Sequence, residues 1–242
     1  MNKNYTPQQM VDRCLLIREA QNVVGSALHC DMLARFDEIY DAYWSKAEDV
    51  CFGENGGYYK GAEAVKGYYA KKAENARQVT DFLMHSKWAD KFDGMTAEEA
   101  YGAGYVKGND FHTPIIEVAG DQKSVKCLFQ VQSANTNITP KGPLSYWNLS
   151  YLGVDLVLEG DSLKIKNMLW VNDIDHPVAE PWTEPTKYPD LEDFAPLAAI
   201  QPPVPNVPQT VLEAYYPGRE FPKYPDMPVP YKTLDETFSY GI

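Results

Sequence analysis

The sequence predicts an α+β protein in which helices come first, a curled antiparallel sheet follows, and a proline- and aromatic-rich arm ends the chain. Three observations predict this. Apolar positions recur at spacings of three and four through residues 6–44 and again through 62–89, the period of an amphipathic helix. From residue 113 the period changes, and segments rich in Val, Ile, Leu and aromatics alternate with turn signals. Of the 18 prolines, 14 lie at or after Pro177.

Each element has its own warrant. Thr6-Pro7 supplies an N-cap followed by proline at the first helical position. The stripe that follows is too long for one average helix, so a break is expected near Gly25 or between Asp31 and Arg35. Residues 51–61 hold glycines and Asn55 between aromatics, which is turn chemistry. Helix resumes at Ala62 and carries Val65, Tyr68, Tyr69, Ala73, Ala76, Val79 and Leu83. Thr96 and Glu99 form a capping-box signal for a short helix. Strands are expected at residues 113–119, 124–134, 145–158 and 163–172, joined by short turns into an antiparallel meander. The chain divides into a body of residues 1–180 and an arm of residues 181–242. The arm carries Trp182, Phe194, Leu197, Leu212, Phe221, Tyr231 and Phe238. Disordered tails are poor in such residues, so the arm is expected to pack on the body or on a neighbouring subunit.

Composition removes several classes of function. With 22 Lys plus Arg against 34 Asp plus Glu the formal charge is −12, which gives no general attraction to nucleic acid or to an anionic membrane surface. No window approaches 18 uncharged apolar residues, so no membrane span is expected. The polar start, with no apolar run after a basic cluster, gives no signal peptide and hence a cytoplasmic expectation. Cys14, Cys30, Cys51 and Cys127 are scattered without a CxxC, the pattern of reduced thiols. There is no HxH, HExxH or carboxylate cluster, and the glycines from Gly53 to Gly61 fit neither nucleotide motif, so no metal and no cofactor are expected.

A family resemblance rests on the order of several short motifs over residues 8–175. Phe36-Asp37-Glu38-Ile39 resembles a "WDEL" helix. Glu54-Asn55-Gly56-Gly57-Tyr58-Tyr59-Lys60-Gly61 and Tyr68-Tyr69 follow, then His112-Thr113-Pro114-Ile115-Ile116-Glu117. Tyr151-Leu152-Gly153-Val154-Asp155-Leu156-Val157 and Leu163-Lys164-Ile165 resemble a "GxYxVDFVKEDGxWKI" hairpin. Together they resemble the SnoaL-like group of the nuclear transport factor two-like superfamily, which includes polyketide cyclases, scytalone dehydratase, ketosteroid isomerase and the bile acid 7α-dehydratase. The resemblance implies a cone-shaped α+β barrel, N-terminal helices packed on a curved antiparallel sheet around one apolar pocket. It also implies self-association as a dimer or trimer, and the aromatic- and proline-rich arm, outside the superfamily's common core, is expected to cross between subunits.

In the dehydratases of that group a Tyr and an Asp on the first helical segment and a His on a strand move the protons. By that alignment Ala27 stands at the usual Tyr, Met32 at the usual Asp with Asp31 one residue away, and Asn109 at the usual His. His112 matches a second histidine of some members. The candidate catalytic set is therefore His112, Asp31 and His29. Asn109 and His112, three apart on a strand, are expected on opposite faces. Tyr59, Asn109, Gln132, Tyr146, Trp147, Trp170 and Asn172 are the candidates to bind and orient a ligand, since aromatic walls with a few amides suit flat ring compounds. The resemblance implies a lyase or isomerase, of dehydratase or cyclase type, acting by acid–base proton transfer on a hydrophobic ring compound such as a steroid, polyketide or plant phenolic. The alternative is a binding protein, or the inert subunit of an assembly, that keeps the pocket without the catalytic histidine.

Overall fold

The computed structural model describes residues 5–139, 142–179, 201–208 and 225–242. The first helix, α1 (Pro7–Met32), opens with the expected cap: Thr6 Oγ1 accepts from Gln9 N, and Gln9 Oε1 accepts from Thr6 N. It runs unbroken through Gly25. The chain turns instead at Leu33 and Ala34, where Ala34 takes a left-handed φ of 58°, and α2 (Phe36–Tyr43) follows. Ala20, Val24, Ala27, Leu28 and Asp31 form one buried face of α1, so the last residue of an otherwise apolar stripe is a carboxylate.

Residues 51–61 do more than turn. They form a hairpin, β1 (Cys51–Glu54) and β2 (Gly57–Lys60), closed by Asn55-Gly56. Asn and Gly are favoured turn residues, though the positive φ here falls on Gly57 (145°) and on neither of the two, and four-residue strands are too short to declare a period. Helix α3 (Ala62–Met84) ends five residues before the expected stop, with His85 as C-cap. The Thr96–Glu99 capping box makes its hydrogen bonds, but residues 97–104 are turns rather than a helix. Gly102 and Gly104, with φ of 81° and 76°, end it early.

The sheet is built on three long strands, β5 (Ser124–Thr139), β6 (Gly142–Glu159) and β7 (Ser162–Pro177). A further strand, β3 (Val106–Phe111), pairs with the far half of β5, and β4 (Ile115–Val118) with its near half. The order is β3-β5-β6-β7-β1-β2-β8, with β8 (Val207–Pro208) contributed by the arm. The sheet is mixed and unclosed, not wholly antiparallel: β1 runs parallel to β7. These two strands are separated in sequence by α3 and five strands, and so long a connection leaves the direction of pairing free. Register shifts at Leu149/Ser150 and Asp155/Leu156 curl β6 and β7. Alternation then gives the sheet two faces. Val125, Cys127, Phe129 and Val131 pack on the helices, while Cys51, Tyr58, Leu169 and Val171 face the other way.

The described end of the arm lies on that outer face. Tyr240 is fully buried against Cys51, Leu169 and Val171. Its backbone N donates to Asp155 Oδ2 and its hydroxyl to Asp226 O. Beneath it, fully buried Lys126 donates to Asp155 Oδ1 at 2.5 Å, with the rings of Phe238 and Tyr240 at 4.5 and 5.1 Å from its ammonium. The proposed boundary at residue 180, and Trp182, Phe194, Leu197, Leu212 and Phe221, lie outside the described residues.

Gly153 is the floor under Tyr240. A Cβ there would sit 2.8 Å from Tyr240 Cγ and closer still to Cδ1 and Cε1. Gly153→Ala is therefore expected to lift the C-terminal segment and lose about 1–3 kcal/mol, the usual cost of overpacking a filled site. Urea unfolding measures the loss, and faster proteolysis near residue 240 would mark its place. An unchanged midpoint would show that Tyr240 has room to move.

Candidate functional site

Between the helices and the concave face of the sheet lies a cavity of about 210 Å³. An adjoining space of about 260 Å³ shares Lys107, Asn135, Asn148 and Asn172 with it. Ala27, Leu28, Ile39, Phe52, Met168 and Trp170 supply apolar walls. Set among them, beside Tyr68 and Tyr69, are two carboxyls and two amines, Asp31, Glu54, Lys72 and Lys107.

Their positions follow from element periods. Asp31 stands one helical turn beyond Ala27 on the buried face of α1. Lys72 lies one turn beyond Tyr68 on α3, inside a stripe that also buries Val65, Tyr69 and Ala73. Lys107 shares the inward parity of Asn109 on β3. Both lysines close on one carboxylate: Lys72 Nζ donates to Asp31 Oδ1, and Lys107 Nζ donates to Asp31 Oδ2 at 2.6 Å. The rings of Phe36, 4.4 Å from Lys72 Nζ, and Trp170, 4.8 Å from Lys107 Nζ, stack on the two ammonium groups.

The electrostatics are uneven. Burial alone would raise the Asp31 pKa, but the charges of Lys107 and Lys72 overcome it and hold the carboxyl far below the usual carboxylate range. Burial, helped by the charge of Lys107, lowers the Lys72 pKa against the pull of Asp31. Burial raises the Glu54 pKa, with the Tyr59 hydrogen bond and the two lysines opposing. The Tyr59 hydroxyl has one proton and two acceptors, Glu54 Oε1 at 3.0 Å and Pro203 O at 2.9 Å. A protonated Glu54 satisfies both contacts: it donates to the Tyr59 oxygen, and Tyr59 donates to Pro203 O.

The wall opposite is a run of amides. Asn55 Nδ2 donates to Asn172 O at 2.8 Å, and Asn172 N donates to Asn55 Oδ1 at 2.7 Å, locking the hairpin turn to β7. Trp170 Nε1 and Ser150 Oγ both donate to Asn172 Oδ1. Asn135 Nδ2 donates to Asn148 Oδ1, and Asn148 Nδ2 to Asp175 Oδ1.

Of the residues singled out in the sequence, Asp31, Trp170 and Asn172 line the inner cavity, and Tyr146 lines the outer space with Asn172. Tyr59 stands behind the wall, stacked on Phe52 and holding Glu54. Asn109 is buried on β3, accepting from Ser133 Oγ at 2.6 Å. The structure does not bring His112, His29, Gln132 or Trp147 to the cavity: all four are exposed. Strand parity puts His112 on the face opposite Asn109, and Gln132 and Trp147 on the outer face of their strands. His29 is two residues from Asp31, which turns it to the other side of α1. Sequence reasoning missed Lys72, Lys107 and Glu54. A lysine inside the apolar stripe of α3 was the available signal for Lys72. Among the described residues no three His, Cys, Asp or Glu side chains converge to hold a metal ion.

No family model and no curated protein matches the chain. Solved structures are similar to it at low identity. The hexachlorocyclohexane dehydrochlorinase LinA-type3 from Novosphingobium barchaimii LL02 is 13% identical, with 74% of this chain and 99% of that one covered, at a TM-score of 0.46. A putative scytalone dehydratase from Novosphingobium aromaticivorans DSM 12444 is 8% identical, with coverage of 75% and 99% and a TM-score of 0.48. The Kfla4162 protein from Kribbella flavida is 8% identical, with coverage of 67% and 93% and a TM-score of 0.49.

Proposed function

We propose that the chain is a cofactor-independent lyase or isomerase that moves a proton on a ring compound held in this cavity. The observation that carries the reading is the convergence of Lys72 and Lys107 on Asp31 beside Glu54. Lys72, whose pKa burial lowers, gives up one proton to solvent and as the neutral amine is the base that takes a proton from carbon next to a carbonyl. The C–H electron pair moves onto the carbonyl oxygen, where the Lys107 ammonium stabilises the enolate. In an elimination that pair returns to expel a β-oxygen, which leaves as water with a proton from Glu54, whose neutral form burial favours. The proton on Lys72 then restores Glu54. In an isomerisation it returns to a different carbon. Asp31 fixes both lysine side chains and takes no proton.

A second reading is favoured by the absence of histidine from the described lining and by the engagement of both Asp31 oxygens. In that reading the cavity binds without turnover. The test is incubation in D2O with steroids, bile acids, flavonoids, aromatic polyketides and smaller phenolic ketones, read by mass spectrometry. Catalysis predicts deuterium uptake or loss of water for at least one stabilising ligand. Lys72→Met should lower that rate at least about 100-fold, the usual worth of a general base, without abolishing binding. Ligands that raise the melting temperature but return unlabelled would establish the binding reading instead.

A further inference from the structure

The charge of the cavity does not balance. In the inner cavity two ammonium groups meet one carboxylate, and the second carboxyl, Glu54, is pushed by burial towards its neutral form; the next carboxyl, Asp175, lines the adjoining outer space and contacts Asn148. The surplus cation sits inside a chain whose formal charge is −12. Its attraction is therefore local, since the body as a whole repels anions. Burying an unbalanced charge is expensive, and a partner that supplies the missing negative charge relieves it.

The geometry leaves the donors for such a partner. Each ammonium has three N–H donors. Among the described residues Lys72 and Lys107 each use one on Asp31, and their rings, Phe36 and Trp170, occupy one flank without accepting a full hydrogen bond. Side-chain exposures of 20% and 19% for Lys72 and Lys107 leave both open to the cavity. Trp170 offers a ring face within the same wall.

From this we infer that the ligand of the cavity is an anion, a compact ring compound bearing an ionised oxygen as carboxylate or phenolate, which seats between Lys72 and Lys107 while its ring lies in the apolar part of the cavity. The inference deepens the proposed function, whose enolate is the same charge formed during the reaction. It narrows the substrates to those that already carry an oxygen anion, and it sets neutral sterols and flavones aside.

The experiment is calorimetric titration of the full chain with benzoate and with its neutral isostere benzamide. Benzoate is expected to bind about tenfold or more tightly than benzamide, the usual advantage of a charge-assisted hydrogen bond over a neutral one. Lys107→Met should remove that preference, and Lys91→Met, an exposed lysine beside Asp90, should keep it. The wild-type pair of titrations decides the matter even if the Lys107 variant fails to fold. Equal affinities, tighter binding of benzamide, or no benzoate binding would overturn the inference. A clear benzoate preference with no deuterium exchange in any ligand would leave the inference standing and remove only the catalytic reading.

Discussion

Replacing Asp155 with alanine is expected to destabilise the protein by about 3–5 kcal/mol, the range for stranding one member of a buried ion pair. Asp155 and Lys126 have no side-chain exposure. Asp155 Oδ2 also accepts from Asn167 Nδ2 at 3.0 Å, Tyr240 N at 2.9 Å and Ser239 Oγ at 3.2 Å. The substitution therefore removes four hydrogen bonds and leaves an ammonium in a cage of Phe238, Tyr240 and Tyr231 rings. Cation–π attraction offsets part of that loss, but each ring contributes about 0.5–2 kcal/mol, less than the lost counter-charge. Two effects should follow together: a lower urea midpoint and release of the C-terminal segment, read by proteolysis. Lys126→Met combined with Asp155→Leu should recover most of the loss, because an apolar pair of similar volume leaves no charge unpaired. If Asp155→Ala lowered stability by less than about 1 kcal/mol, the value of an exposed pair, the arm would not depend on this charge.

The balance between what was legible and what was hidden follows the range of the interactions. The α1 cap needs residues three apart, and the long strands β5, β6 and β7 declare themselves through turns at their ends. The β1–β2 hairpin was read only as a turn because Gly53 and Gly57 weaken its strand pattern. Val-Lys-Gly-Asn-Asp-Phe of β3 has too little apolar alternation to stand out. The parallel β1·β7 pair joins Cys51 to Asn167, a separation no local period reports. The site divides in the same way. Asp31 was reached through the family resemblance, one residue from the position the alignment gives. Lys72 and Lys107 are 41 and 76 residues away from it, and only the fold brings their ammonium groups to one carboxylate. His112 and His29 drew attention as residue types able to move protons, yet a single step of strand parity and a half-turn of helix put both outside the cavity.

Asp31→Asn should produce opposite changes in turnover and in anion binding. The substitution keeps the side chain's shape and removes the one carboxylate that both lysines contact, so two buried ammonium groups face each other. Stability should fall by about 3–5 kcal/mol near neutral pH, as for other broken buried pairs. The pH dependence has a definite sign. The folded Asp31 pKa lies below its unfolded value of 3.8, so its contribution is complete above that value and is lost as pH falls through the lowered folded value. The gap between wild type and variant in urea unfolding should therefore narrow steadily as pH falls below about 4. A gap that stayed constant down to the acid limit of folding would mean that Asp31 is not held ionised by Lys72 and Lys107. Deuterium exchange into a substrate should drop at least about 100-fold, because Lys72 and Lys107 lose the carboxylate that orients them. Benzoate should bind more tightly at the same time, since the cavity has gained a full unit of positive charge. A structural defect would weaken both properties. Tighter anion binding with slower proton transfer is the outcome that identifies Asp31 as the residue setting the charge and direction of the two lysines.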